Sequence, residues 1–220
     1  MNAGFFRATR RLASATAVAA LAVGCANAPV THFHTLLPAD VEAVGVSSAT
    51  PPVGGGAAWT LATVSVPAQV DRPQWVVRGA GETLAVLENE RWIAPLADEM
   101  RAAVAERLAA RLGSYSGLPP AAGRTGWQVR IAVQRLDAAP GRYARLNASW
   151  MLGAAGAAGA AGAADAAAAS LACRSVFEQP VAGGYAALAD GHRGNVARLA
   201  DAIAAALLAA DRGEARACPR

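Results

Sequence analysis

The strongest constraint on this chain is its N-terminal segment, because that segment determines the compartment in which the chain folds. Residues 1–11 carry three arginines and no acid, and residues 12–23 are apolar apart from one serine and one threonine. A basic start followed by a short apolar run is typical of an export signal, and the run is too short for a stable membrane span. Leu21 and three further residues lead into Cys25, an order typical of a bacterial lipobox, in which the leader is cut before a cysteine that receives lipid. The alternative is an ordinary secretory leader with the A-x-A pattern of Ala26 and Ala28.

The lipobox divides the chain into four parts. We predict a signal peptide over residues 1–24, a lipidated tether over 25–30, one domain over 31–211 and a C-terminal tail over 212–220. Cleavage before Cys25 leaves 196 residues, the length of a single domain with a substantial core. Diacylglycerol and an N-acyl chain on Cys25 are the only bound groups predicted, and more than one chain on a cysteine anchors a protein firmly.

The charge of the chain does not favour nucleic acid. The formal net charge is +4, but all three charges of the leader are arginines and all 16 acids lie beyond it. The mature chain therefore carries 17 arginines against 16 acids, a net charge of +1. A nucleic-acid partner is not expected at that balance.

Two cysteines remain after Cys25, namely Cys173 and Cys218, which lie 45 positions apart. An exported chain enters an oxidising compartment, where a remaining pair is most simply a disulfide. The alternative is two free thiols. The chain has no C-x-x-C motif, so neither zinc nor redox chemistry is indicated.

The hydrophobic pattern predicts an α+β fold, with two main helices packed on a mostly antiparallel sheet in one domain. Strands are expected over residues 31–37, 59–66, 74–78, 83–87, 127–136, 144–152 and 171–179, from alternating or apolar runs between turn residues. One helix is expected from Pro95 to Leu112, with an apolar stripe at every fourth residue and Gly113 at its end. A second is expected over residues 185–207, weakened by Gly191 and Gly194. Residues 40–58 are predicted to form a linker or loop, and the Gly/Ala-rich residues 153–169 a flexible hairpin insertion.

The search for reactive residues gives no catalytic or metal-binding set. His32 and His34 form an H-x-H pair, but a metal site needs a further ligand and His192 is the only other histidine. His192 falls on the apolar stripe of its helix, which favours a core position. Glu88 and Glu90 are a paired-carboxylate candidate, although acids are common just before a helix start. No G-x-S-x-G surrounds any serine, so a hydrolase is not supported and no enzyme is predicted.

Two motif runs resemble a known family. The first extends from Val66-Pro67 to Val70-Asp71-Arg72-Pro73-Gln74-Trp75-Val76-Val77-Arg78, and the second is Glu90-Arg91-Trp92-Ile93-Ala94-Pro95-Leu96 before a helix. Both resemble the ABC-type transport auxiliary lipoprotein family of the PqiC or YmbA type, the membrane integrity-associated transporter subunits. Residues 127–137 and 146–150 resemble the central hairpin of that family, and residues 185–188 and 199–204 its final helix. The resemblance covers residues 33–208, and its motif positions are Val66, Pro67, Asp71, Arg72, Pro73, Gln74, Arg78, Arg91, Trp92, Pro95 and Leu96.

The resemblance implies a non-catalytic function in lipid transport. Such lipoproteins work with MCE-domain proteins, often with an ABC permease, in moving phospholipid between the inner and outer membranes and maintaining the envelope barrier. They assemble as homo-oligomeric rings at the outer-membrane side. Ala26, rather than Asp, follows the anchor cysteine, which favours an outer-membrane position facing the periplasm.

Two other functions remain as alternatives at this stage. A monomeric periplasmic lipid carrier would need an apolar cavity, and an envelope hydrolase would need His192 and Asp190. Trp75, Trp92 and Arg78 are candidate partner contacts because they lie in the motif runs, although large aromatic residues are also common in cores.

Overall fold

Seven strands and two long helices make up the computed structural model, which describes residues 29–38, 57–79, 81, 83–113, 126–155, 170–214 and 217–219. From His32 onward the chain forms one compact unit. The strands are β1 (His32–His34), β2 (Ala58–Ser65), β3 (Gln74–Arg78), β4 (Leu84–Trp92), β5 (Gly126–Ala139), β6 (Tyr143–Ala154) and β7 (Leu171–Pro180). The helices are α1 (Leu96–Leu112) and α2 (Tyr185–Asp211).

The larger sheet has four strands in the order β2-β5-β6-β7. β2 runs parallel to β5, and β5, β6 and β7 are successively antiparallel. Alternate residues of β5 and β6 are buried, among them Val129, Ile131, Leu146 and Trp150, as expected for a sheet that packs on helices with one face.

The smaller sheet has three strands in the order β1-β4-β3. The first half of β4 pairs antiparallel with β3, and its second half pairs parallel with β1, from His32 opposite Glu90 to His34 opposite Trp92. The register between β3 and β4 jumps from Gln74–Arg91 to Trp75–Leu87. β4 is thus the central strand of this sheet, and β1 lies beside its second half alone.

Helix α1 follows its sequence pattern closely. Its apolar stripe, Leu96, Met100, Val104, Leu108 and Leu112, is buried. Asp98 and Glu99 lie in the first turn and Arg111 in the last, which suits the helix dipole. Gly113 ends the helix in the left-handed conformation, with φ of 65°.

Helix α2 is continuous through Gly191 and Gly194, and both glycines lie where the helix closely approaches its neighbours. A Cβ on Gly191 would lie 2.6 Å from Val181 Cγ1 and 2.8 Å from Ala144 Cβ. A Cβ on Gly194 would lie 2.7 Å from Gln179 Nε2. The glycines predicted to weaken the helix therefore permit its packing.

Paired charges join the two helices. Arg107 Nε and Arg111 Nε donate to Asp201 Oδ1 at 2.9 and 2.7 Å. Burial alone would raise the pKa of Asp201, but the hydrogen bonds from the two arginines lower it overall.

The α+β class and the two main helices are confirmed, and the strands divide between two sheets, with three of the five described pairings antiparallel. Several boundaries were wrong, and the largest differences are in three strands. β1 is shorter than residues 31–37, β4 continues beyond residue 87 to Trp92, and β5 continues beyond residue 136 to Ala139. β4 is longer because its second half pairs with β1, a contact that local pattern does not reveal.

Cys25, residues 40–56 of the predicted linker and residues 156–169 of the predicted insertion lie outside the described residues. Within the described residues, no helix has the length and apolar character needed to cross a membrane.

Candidate docking site

A cleft lies where the two sheets adjoin. β2 pairs with β5 only as far as Ser65 opposite Ala132, and Pro67 follows two residues later. β5 continues past that point to Ala139, and β3 approaches this second half of β5 without joining its sheet. The cleft between β3 and β5 has a volume of about 240 Å³. Its lining residues are Pro67, Gln69, Val70, Val76, Arg78, Leu84, Gln134, Arg135, Leu136 and Asp137.

One ion pair links the walls of this β3–β5 cleft. Arg78 Nε of β3 donates to both carboxylate oxygens of Asp137 of β5, each at 3.1 Å. The Tyr143 hydroxyl donates to Asp137 Oδ2 at 3.2 Å. Burial raises the pKa of Tyr143, and the Asp137 carboxylate raises it further, so this hydroxyl stays protonated.

The outer rim of the β3–β5 cleft is apolar. Leu84 and Val86 lie two apart on one face of β4, with exposed fractions of 57% and 41%. Val76 of β3 pairs with Val86, and Arg78 pairs with Leu84. An exposed apolar strip therefore runs from β4 into the cleft.

The start of the compact unit is held by a carboxylate between two histidines. His32 Nδ1 and His34 Nε2 lie 2.9 and 2.5 Å from the two oxygens of Glu90 on β4. Burial would raise the pKa of Glu90, but the hydrogen bonds from His34 and His32 lower it overall. Glu90 is buried and Glu88 is exposed, so the two do not act as a carboxylate pair.

Both helices also hold the segment that follows β1. Glu99 Oε2 of α1 accepts hydrogen bonds from Thr35 Oγ1 at 2.6 Å and from the Leu36 amide at 2.8 Å. Arg193 of α2 donates to the Thr35 carbonyl at 2.9 Å. Chain that enters from the predicted tether is therefore fixed to β4, α1 and α2 at once.

A cluster of aromatic rings lies next to His34. The Trp75 ring lies 4.3 Å from that of His34 and 4.6 Å from that of Trp92, between centroids. His192 of α2 contacts both tryptophans at 6.3 and 6.2 Å. His192 is buried as predicted, and burial lowers its pKa to about 4. The tryptophans are buried as well, so they are core residues and not exposed partner contacts.

The model of one protein family, described as the ABC-type transport auxiliary lipoprotein component, matches residues 36–204. The chain belongs to this family. No curated protein matches the sequence closely enough to count as a relative. Two solved structures share the fold of this family member. One is an uncharacterised protein, 13% identical, covering 80% of this chain and 98% of its own, with a TM-score of 0.58. The other is protein XCC0632 from Xanthomonas campestris, of family DUF330, 16% identical, covering 75% and 91%, with a TM-score of 0.51.

Two motif positions of this family member, Pro67 and Arg78, line the cleft, and others position the strands beside it. The Pro67 carbonyl accepts hydrogen bonds from the Val70 and Asp71 amides and so makes the turn between β2 and β3. The Pro73 carbonyl accepts from the Trp92 amide at 2.8 Å. The motif thereby fixes β3 against β4.

Other motif residues make local contacts. Gln74 Nε2 donates to the Glu88 carboxylate at 3.3 Å, and Arg91 Nε donates to the Glu88 carbonyl at 2.9 Å. Pro95 precedes α1, whose first residue, Leu96, is fully buried. Val66 is partly buried against the core, and Asp71 and Arg72 are exposed.

The other described residues that the sequence singled out do not form a reactive centre. Cys173 and Cys218 are joined by a disulfide, with 5.5 Å between their Cα atoms. Asp190 is exposed and paired with Arg193, whereas His192 is buried, so the two residues do not meet. Among the described residues, no group of three metal-binding side chains is arranged to hold an ion.

Sequence reasoning missed Glu90, Glu99 and Asp137 as fixed, buried acids. Glu90 lies in a strand and not merely before a helix, which corrects the earlier interpretation. The sequence signal closest to the cleft has a meaning only once β2 is known to pair with β5. Pro67 ends β2, while the alternating pattern of β5 continues, so part of β5 had to lack β2 as a neighbour.

Proposed function

We propose that this lipoprotein is a non-catalytic docking and assembly subunit of an MCE/ABC-type system that transports phospholipid between membranes. In this proposal it is anchored through Cys25 in the outer membrane, faces the periplasm and assembles as a homo-oligomeric ring. The observation that carries the proposal is the family match over residues 36–204. The motif residues Pro67 and Arg78 line a surface cleft, and the described residues form no reactive centre.

An anchor at Cys25 would hold the domain on a short tether. Seven residue steps separate Cys25 from His32, and a fully extended chain of that length reaches no more than about 25 Å. Thr35 and Leu36 are then held by Glu99 and Arg193. An anchored domain of this kind stays close to the membrane surface.

The size of the cleft favours docking over lipid carriage. Its volume of about 240 Å³ lies below the roughly 300–1,000 Å³ of pockets that enclose drug-sized ligands. A two-chain phospholipid is larger still. The cleft can accept a side chain of a partner, which is what a docking subunit requires.

Membrane fractionation tests the anchor and its location. The full chain should sediment with the outer-membrane fraction, and Cys25→Ser should release the protein into the soluble periplasmic fraction. Ala26→Asp serves as the sorting control and should move the anchored protein to the inner membrane. Retention of Cys25→Ser in the membrane would refute the anchor, and inner-membrane sedimentation of the unaltered chain would refute the location.

A further inference from the structure

The mouth of the β3–β5 cleft differs in charge from the ion pair that links its walls. Arg78 is neutralised by Asp137 within the cleft. Arg135 lines the same cleft and is exposed, and the structure gives its guanidinium no acidic partner among the described residues. Gln69 and Gln134, which also line the cleft, are exposed and uncharged. The cleft therefore presents one net positive charge at its mouth.

The apolar part of the surface lies beside that charge. Leu84 lines the cleft with 57% of its surface exposed, and Val86 extends the apolar strip along β4. An exposed apolar strip with polar residues at its rim is typical of a protein interaction site. A cleft of about 240 Å³ admits one large side chain more readily than a folded surface.

We propose that the β3–β5 cleft receives a protein segment presenting one bulky apolar side chain with a carboxylate next to it. The apolar side chain packs against Val76, Leu84 and Leu136, and the carboxylate pairs with Arg135. This inference rests on the proposed function, since the segment belongs to the MCE-domain partner. A phospholipid and a second copy of this chain are the other occupants that the experiment distinguishes.

Site-specific photo-crosslinking identifies the occupant. A photoreactive residue replaces Leu84 in the full lipidated chain, in cells that also make its MCE-domain protein. The matched control replaces Val176 of β7, whose exposed fraction is also 57%. We expect the Leu84 position to crosslink to the MCE-domain protein and the Val176 position not to. Crosslinks from Leu84 to phospholipid or to a second copy, or equal crosslinking from both positions, would overturn the inference.

Charge reversal tests the electrostatic part on purified protein. Arg135→Glu should weaken binding of the purified MCE-domain protein about tenfold, because it places two carboxylates together. Arg130→Glu is the matched control, since Arg130 is an exposed arginine of the same strand that does not line the cleft. Both variants should keep the thermal midpoint of the unaltered protein, which establishes that they fold.

The outcomes separate the two claims. If the unaltered lipoprotein binds the MCE-domain protein but Arg135→Glu and Leu84→Asp bind as tightly, the cleft inference is wrong and the proposed function stands. If the unaltered lipoprotein captures no MCE-domain protein, the proposed function itself is wrong, and the cleft inference falls with it.

Discussion

The two sheets of this lipoprotein differ in how much of their surface is buried. The four-stranded sheet packs one face against the helices, and most of its large apolar residues, such as Trp150, Leu146 and Leu152, are fully buried. The three-stranded sheet keeps buried tryptophans on one side but exposes Phe33, Leu84 and Val86. Most of the family motif lies in this second sheet and in the turns and helix start that adjoin it.

From this difference we expect the larger sheet to determine stability and the smaller sheet to determine partner binding. The larger sheet supplies the core and is tied to the C-terminal tail by the Cys173–Cys218 disulfide. The smaller sheet leaves large apolar side chains exposed, and motif residues such as Pro67 and Pro73 fix its strands through backbone hydrogen bonds. Substitutions in the larger sheet should therefore affect folding first, and substitutions on the exposed face of the smaller sheet should affect partner binding first.

The largest effect is expected for Trp150→Ala in the larger sheet. Trp150 is 1% exposed and donates from its indole nitrogen to Ser175 Oγ at 3.0 Å. Its removal should lower the free energy of unfolding by about 3–5 kcal/mol, measured by urea denaturation. Met151→Ala, at the next position on the opposite face, should change it by less than about 1 kcal/mol. Equal losses for the two variants would contradict the buried face assigned to this sheet.

Reduction of the disulfide should come next. The bridge closes a loop with a sequence separation of 45 residues, for which chain entropy gives a stabilisation of roughly 3–4 kcal/mol. The urea midpoint should fall on adding reductant, and a Cys173→Ala/Cys218→Ala variant should not respond to it. Free alkylation of both thiols in unreduced protein would show that the bridge does not form.

Burial of His192 should make the free energy of unfolding depend on pH, with an effect similar in size to that of the disulfide. Burial lowers the pKa of His192 to about 4, against about 6.5 in an unfolded chain. The unfolded chain therefore binds the proton more readily, and the free energy of unfolding should fall by about 3 kcal/mol between pH 6.5 and pH 4. His192→Leu should abolish this loss in that window. The depressed pKa values of Glu90 and Asp201 reduce stability only below about pH 4.5, so an unchanged profile above that pH in His192→Leu would refute the assignment.

The smallest of these effects concerns the ion pair across the cleft. Arg78→Ala leaves the Asp137 carboxylate, whose side chain is 9% exposed, without its cation. Since Arg78 itself is 20% exposed, we expect a loss of about 2–3 kcal/mol, below that of a fully buried pair. Glu178→Ala, which breaks the exposed Arg145–Glu178 pair of the larger sheet, should cost less than about 1 kcal/mol. A loss for Glu178→Ala as large as that for Arg78→Ala would contradict the expected difference between a partly buried and an exposed ion pair.

The parts of the fold that depend on nearby residues could be predicted from the sequence. Helix α1 was predicted to within one residue at its start and with its last residue, because its apolar stripe and its terminal glycine are local signals. Strand β3 was predicted with both of its ends.

The parts that depend on distant residues could not be predicted. β1 pairs with β4 across 58 residues, and neither the end of β4 nor the Glu90 contacts with the histidines can be read from either segment alone. The cleft arises because one strand stops while its neighbour continues and a third strand approaches it. The ion pair that links its walls joins Arg78 to Asp137, and these residues lie 59 positions apart in the sequence.

The central claim is that a membrane-anchored domain holds an MCE-domain protein. Co-sedimentation tests it most directly: the full lipidated chain is placed in phospholipid vesicles, mixed with the purified MCE-domain protein of the same bacterium, and centrifuged. The account predicts that the MCE-domain protein sediments with the loaded vesicles and stays in the supernatant with vesicles lacking the lipoprotein. An MCE-domain protein that stays in the supernatant in both cases, at saturating lipoprotein, would contradict it.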